Sequence, residues 1–281
     1  YTDLTTHGFH ARHLPAGAVF DKAGPALVPH EAADLPVLLG LLNTPVVEAL
    51  LGVLNATLHT QVGDVRALPA PALTPLREVL TPLVHQALEA ARWSEAGREA
   101  SPWFGRAALD TACPGSAADT HEKYAGAWDQ TMQRAQAAHD EIGRRVAAAY
   151  GLGPTVRLPT HRPVFRPAPT LAECMAQLVA VRAVELARGP LDVERLDAAL
   201  ARSVTPDELR DGLGESLRDH LLGGAFWSRH LRLYQRSPRL WLLTEGPARL
   251  FPFVDADQHG VDTQGLSSRQ AWRERFGRDP R

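Results

Sequence analysis

Aromatic, basic and apolar residues interleave in an ordered way at one place in the chain, Leu221 to Leu243, which reads LLGGAFWSRHLRLYQRSPRLWLL. Arginine pairs with phosphate through two parallel hydrogen bonds and stacks on planar rings. Arg218, Arg229, Arg232 and Arg236, set among Phe226, Tyr234 and Trp241, therefore have the chemistry of a nucleic-acid backbone contact. The same pattern fits a buried helix–turn–strand corner whose arginines form its solvated face, and the residues alone leave both readings open. A second group, His7, His10 and His13, has a spacing of three that aligns on a helix. Gly8, Pro15 and Gly17 argue instead for loop or edge strand, and no fourth zinc ligand lies nearby, so these read as polar loop histidines. Cys113 and Cys174 are far apart and lack metal-ligand spacing, which points to a reducing compartment, with the cytoplasm as the default. Among glycine-rich stretches, Gly151-Leu152-Gly153 follows a helical pattern rather than a strand, and Gly212 to Gly214 and Gly223-Gly224 have no strand before them, so none reads as a cofactor loop. No Gly-x-Ser-x-Gly elbow, Walker loop or zinc-binding His-Glu-x-x-His helix occurs.

Periodicity indicates the elements that must carry these groups. Glu215 to Tyr234 reads as a helix directing Leu217, Leu221, Leu222, Ala225, Phe226 and Leu233 to a core; Pro238 stops it, and Leu240 to Leu243 read as a short buried strand. Toward the other end, Leu14 to Phe20 reads as a strand broken by glycine, with Asp21 to Gly24 as its turn. Leu35, Leu38, Leu39 and Leu42 share one helix face, and Thr44 caps a second helix that starts at Pro45 and runs to Asn55. Leu58, Thr60 and Val62 alternate as a strand closed by a Gly63-Asp64 turn, and an extended proline segment leads out to Pro71. Thr74 and Pro75 open a helix whose stripe runs from Leu76 to Ala91, with Pro82 expected to kink or divide it. Gly105 to Asp119, rich in small residues, reads as a linker. A long helix from Lys123 to Tyr150 follows, with Trp128, Met132, Ala135, His139, Ile142 and Val146 on one face, His139 as a core-edge histidine and Gly151 as the stop. After a connector of prolines and arginines, Leu171 to Arg188 and Leu191 to Leu200 read as helices, and Thr205 begins a third.

With 281 residues, 44% of them hydrophobic and 22% charged, the chain can bury one large or two modest cores. No apolar run reaches membrane-helix length, and the first residues resemble neither a signal peptide nor a translation start, so a piece of something longer is expected. The net charge of -2 weighs against a free-standing nucleic-acid binder, although nearly all the positive charge is arginine.

Several motifs occur in a recognisable order. They are Phe20-Asp21, Leu41-Leu42-Asn43-Thr44, Asn55-Ala56-Thr57, Gln61-Val62-Gly63-Asp64 and Leu68-Pro69-Ala70-Pro71. This series resembles the second half of the target-recognition region of large adenine-specific DNA methyltransferases, the PglX-like enzymes of bacteriophage-exclusion (BREX) systems and related single-chain restriction-modification enzymes. Ala56 departs from the proline of that pattern. The tryptophan-containing stretch Trp93 to Phe104, the ending VAAAYGLG and the series Phe226, His230, Tyr234, Arg236, Pro238 and Trp241 continue the resemblance in order, with Ser237 displacing the usual Lys-Arg-Pro by one residue.

The resemblance implies a mixed, predominantly α fold. Residues 1–72 would form a small α+β recognition-like segment, 73–152 a helical region, 153–170 a connector, and 171–281 a C-terminal helical domain with a short strand. A Rossmann methyltransferase core is not expected in this chain, because the glycine-rich turn and the Asn-Pro-Pro-Tyr loop that such enzymes need are missing from it. S-adenosylmethionine (SAM) and the catalytic residues would belong to a catalytic domain in cis or trans, and the partner would be double-stranded DNA, with other defence-system subunits as further partners. Thr6, His7, Arg12 and His13, together with Thr60, Gln61 and Asp64, are then candidates for base-edge contact, and Arg229, Arg232, Arg236 and Arg239 for phosphate contact. A helical assembly module of a defence complex, or an inactive remnant, is the alternative.

Overall fold

A computed structural model describes residues 1, 3–4, 8–15, 17–55, 57–98, 101, 103–110, 115–153, 156–158, 166–186, 191–222, 226 and 229, together with the backbone of 243–245 and 248–250. The described part is predominantly helical. No single helix in it is long and apolar enough to cross a membrane. The chain divides into two compact units that are each discontinuous in sequence, 1–92 with 129–166, and 93–128 with 167–281. The sequence reading divides the chain serially. The structure instead places the unit boundaries inside two long helices and, for the last, inside the proline-rich connector.

In the first unit, α1 (Leu35–Leu42) and α2 (Pro45–Leu54) form the expected pair. Thr44 joins them: its hydroxyl accepts from Val47 N at 3.5 Å and donates to the Leu41 carbonyl at 2.7 Å, while Pro45 takes the first helical position, where no N–H is needed. The buried face of α1 is Val37, Gly40, Leu41 and Leu42, one step round from the expected leucine stripe, and Leu35 is exposed. Gly40 decides the rotation. A Cβ there would lie 2.8 Å from Val84, so the glycine lets helices approach and turns its own face inward.

α3 (Val62–Arg66) overturns the expected strand and turn at 58–64. The Asp64 carboxylate accepts from Gln61 N at 2.8 Å, which starts a helical turn where alternation had suggested extended chain. Only an isolated antiparallel bridge, Leu4 with His59, remains of β-structure in the described residues of this region. The expected strand at 14–20 is likewise absent among the described residues, although the Asp21 turn forms, with Ala23 N and Gly24 N both donating to Asp21 Oδ1. α4 (Thr74–Glu95) runs through Pro82 undivided. Leu76, Leu80 and Val84 of α4 pack with Phe9, Val37, Leu51, Ile142 and Val146, the last two from α5 (Ala117–Ala149). α5 ends as expected at Gly151, whose φ of 69° permits the terminal bond from Leu152 N to the Ala147 carbonyl.

The second unit is built round α6 (Leu171–Leu186), whose middle is covered through Cys174, Met175, Leu178, Val179, Val181 and Ala183, while Ala172, Glu173, Val184 and Glu185 at its ends are exposed. This explains the weak periodicity of its sequence: a stretch covered all round has no polar face to mark a period. Packed on it are α7 (Val193–Leu200), α8 (Pro206–Leu213) and α9 (Leu217–Leu222). A Cβ on Gly212 would meet Met175 at 2.6 Å, so α8 lies as close to α6 as an absent side chain allows. Two features of the expected linker at 105–119 are revised. Ala107 and Leu109 are core residues, and α5 begins at Ala117 because Ser116 and Asp119 cap it reciprocally, with Ser116 N to Asp119 Oδ2 at 3.0 Å and Asp119 N to Ser116 Oγ at 3.1 Å.

Of the expected 215–234 helix, the described part comprises α9 and the helical residues Phe226 and Arg229. Leu217, Leu221 and Phe226 are buried as the stripe requires. The described backbone beyond comprises β2 (Leu243–Glu245), paired antiparallel with β3 (Ala248–Leu250) and parallel with β1 (Leu191–Asp192). Pro238 and Leu240 to Leu242 lie outside the described residues.

Candidate functional site

Two of the stretches singled out for base contact come together in the first unit. Besides the Leu4–His59 bridge, Thr60 N donates to the Asp3 carbonyl at 2.7 Å, so the segments leading into 5–13 and 60–64 run side by side. Each is held by a motif residue. Asn43, at the end of α1, makes a two-point clamp on Ala11: its Oδ1 accepts from Ala11 N and its Nδ2 donates to the Ala11 carbonyl, both at 3.0 Å, while Nδ2 also reaches the Leu39 carbonyl at 2.9 Å. This fixes the backbone immediately before Arg12 and His13. Phe9, buried just upstream and 5.3 Å from the Tyr1 ring, anchors the same segment to the core.

The second segment is braced from within. Asn55 Nδ2 donates to the His59 carbonyl at 2.9 Å and to Asp64 Oδ2 at 2.7 Å, and Thr57 N donates back to Asn55 Oδ1 at 2.9 Å. Asp64 is thereby committed to cap and brace, since the same Oδ2 also accepts from Gln61 N. Its carboxylate shapes the loop, whereas Gln61 is exposed and Thr60 half-buried. Asp3 and Asp64, after burial itself, push the Tyr1 phenol above its ordinary pKa, so it stays a neutral donor beside them.

Arg12 is exposed and His13 half-buried, and both line a groove of about 710 Å³ whose remaining wall includes Leu14, Phe20, Leu35 and Leu39. Val19 and Val28 beside it are 95% and 81% exposed, an unusual display of apolar surface. The groove thus combines a cationic and an imidazole group with apolar walls.

Thr6, His7, Arg232, Arg236 and Arg239 lie outside the described residues, and Arg229 is a half-buried helical residue of the second unit. Among the described residues no three His, Cys, Asp or Glu side chains are grouped as metal ligands. Cys174 is no nucleophile: burial, and then Glu173, push its thiol up to about 12. Sequence reasoning missed Asn43 and Asn55 as positioning residues. Their signal was available in the asparagine placed directly before a Thr-Pro helix start and in the one at the end of the next helical pattern, four residues before His59. Comparison with family models, with curated proteins and with solved structures yields no match.

Proposed function

We propose that this chain is the DNA-recognition and C-terminal portion of a SAM-dependent, site-specific adenine DNA methyltransferase of a phage-defence system, of the BREX or restriction-modification kind. It would act in the cytoplasm with a catalytic domain in cis or trans that binds SAM and flips the adenine. The observation that carries the reading is that the residues of the collinear motifs are those that hold the candidate loops: Asn43 clamps Ala11 beside Arg12 and His13, and Asn55 and Asp64 brace the segment containing Thr60 and Gln61. A loop positioned by a rigid scaffold is what base-edge readout requires. On this reading residues 1–72 form the recognition segment, and Arg229, Arg232, Arg236 and Arg239 contact phosphates.

The test is a salt titration of duplex binding by the whole chain. Log affinity falls with log salt at about 0.9 per phosphate contacted, and Arg12→Gln and Gln61→Ala relax sequence preference. Methyl transfer to DNA appears only when the catalytic domain is supplied. Absence of duplex binding at low salt, or methyl transfer by this chain alone, overturns the proposal. The apolar groove beside Arg12, with Val19, Phe20 and Val28 exposed, favours a second reading, a helical assembly module that contacts a partner subunit.

A further inference from the structure

A three-ring cluster in the second unit borders an open cleft. Trp93, at the end of α4, lies 5.1 Å from Tyr124 and 5.4 Å from Trp128, and Tyr124 lies 5.9 Å from Trp128, all centroid to centroid and tilted. Trp128 is buried, as a core ring should be, but Trp93 and Tyr124 are only half-buried and line a cleft of about 240 Å³. Ala96, Ala107 and Ala108 also line it, and small side chains there leave room beside the rings. At the same cleft stand Arg106 and Lys123, both exposed, and Thr120.

Among the described residues neither Arg106 nor Lys123 lies within ion-pair distance of a carboxylate. Asp119, the acid that acts on Lys123, has its Oδ2 engaged by Ser116 N and Ser116 Oγ at the start of α5. Two exposed cations lining a cleft that is also walled by rings match a ligand with a planar heterocycle and an attached anion. Aromatic walls accept any base by stacking, and guanidinium and ammonium groups bind phosphate through charge-assisted hydrogen bonds. The volume suits one base with its phosphate at the opening.

We propose that this cleft binds a nucleoside phosphate unit, with the base against Trp93 and Tyr124 and the phosphate held between Arg106 and Lys123. The unit can come from a free nucleotide or from an unpaired strand, and the chemistry of recognition is the same. The cleft belongs to the second unit and the candidate loops to the first, and the site does not depend on the function proposed above.

The test uses the whole chain and follows the indole N–H resonance of Trp93, assigned by its loss in Trp93→Phe, during titration with AMP, adenosine, inorganic phosphate, single-stranded oligo(dA) and a duplex of the same length. AMP is expected to bind saturably and at least about tenfold more tightly than adenosine or phosphate, since neither of those engages both walls and cations. Arg106→Gln with Lys123→Gln weakens AMP binding about tenfold or more without moving the thermal midpoint, because both side chains are exposed, whereas Arg106→Lys with Lys123→Arg restores most of it. If oligo(dA) displaces AMP and shows the same variant dependence, the unit is taken from a strand; if AMP binds and oligo(dA) does not, it is a free nucleotide. AMP binding no tighter than adenosine, or unchanged in the double glutamine variant, overturns the proposal. Relaxed sequence preference in Arg12→Gln with AMP binding intact would separate this cleft from the recognition loops.

Discussion

Replacing Asn43 tests whether the backbone before Arg12 is held as the structure indicates. The side chain makes three hydrogen bonds, two to Ala11 and one to Leu39, at 2.9 to 3.0 Å. Each such bond contributes on the order of 1 kcal/mol net, and more where a buried group is left without a partner. Ala11 is half-buried, so water replaces part of what Asn43→Ala removes, and the expected loss is about 2 kcal/mol by urea denaturation. Asn43→Asp sharpens the test because it is isosteric. It keeps an acceptor for Ala11 N but sets a carboxylate oxygen against the Ala11 and Leu39 carbonyls, so it should destabilise at least as much as alanine near neutral pH. Hydrogen exchange at the Ala11 amide supplies a local readout and should speed up in both variants while α6 amides keep their order of protection. An Asn43→Asp variant within about 0.5 kcal/mol of the parent, with Ala11 exchange unchanged, would refute the clamp.

Other perturbations address separate parts of the molecule. Pro82→Ala restores an N–H inside the unbroken α4 at an exposed position and should raise stability by about 1–3 kcal/mol, read from the urea midpoint. Glu208 is held below the ordinary glutamate value of 4.5 by the Ala117 N–H first and then by the Thr205 backbone and hydroxyl. Its contribution is therefore fully present above that value and is lost as pH falls through the lower folded value, and Glu208→Gln should flatten the acid limb of the stability profile below about pH 4.5. Gly214→Ala forces a side chain into the left-handed cap at φ 77° and should cost about 1 kcal/mol in thermal or urea unfolding. In a Cys113→Ala background, Cys174 should stay unreactive to a thiol reagent until the chain unfolds, because the thiol is buried and its pKa is pushed up to about 12.

Local chemistry made much of the helical framework legible in the sequence. Thr44-Pro45 and Thr205-Pro206 mark helix starts whatever surrounds them, because a hydroxyl that accepts a free N–H and a proline at the first position act within four residues; Gly151 marks an end for the same reason. Alternation at Leu58, Thr60 and Val62 misled because a strand needs a partner, and the competing claim, the Asp64 carboxylate on Gln61 N, could be satisfied locally by a helical turn. The inward face of α1 was set by Gly40 meeting Val84 across more than forty residues of sequence, which no window of periodicity contains. The interleaving of the two units belongs to tertiary structure for a similar reason: long helices can leave one core and enter another without any local signal. So do the Ala11 clamp and the gathering of Trp93, Arg106, Lys123 and Tyr124 at one cleft. By itself the sequence determined which residue types were available for nucleic-acid chemistry; only packing decided which of them stand together, because contact between distant segments is a property of the closed core and not of any stretch within it.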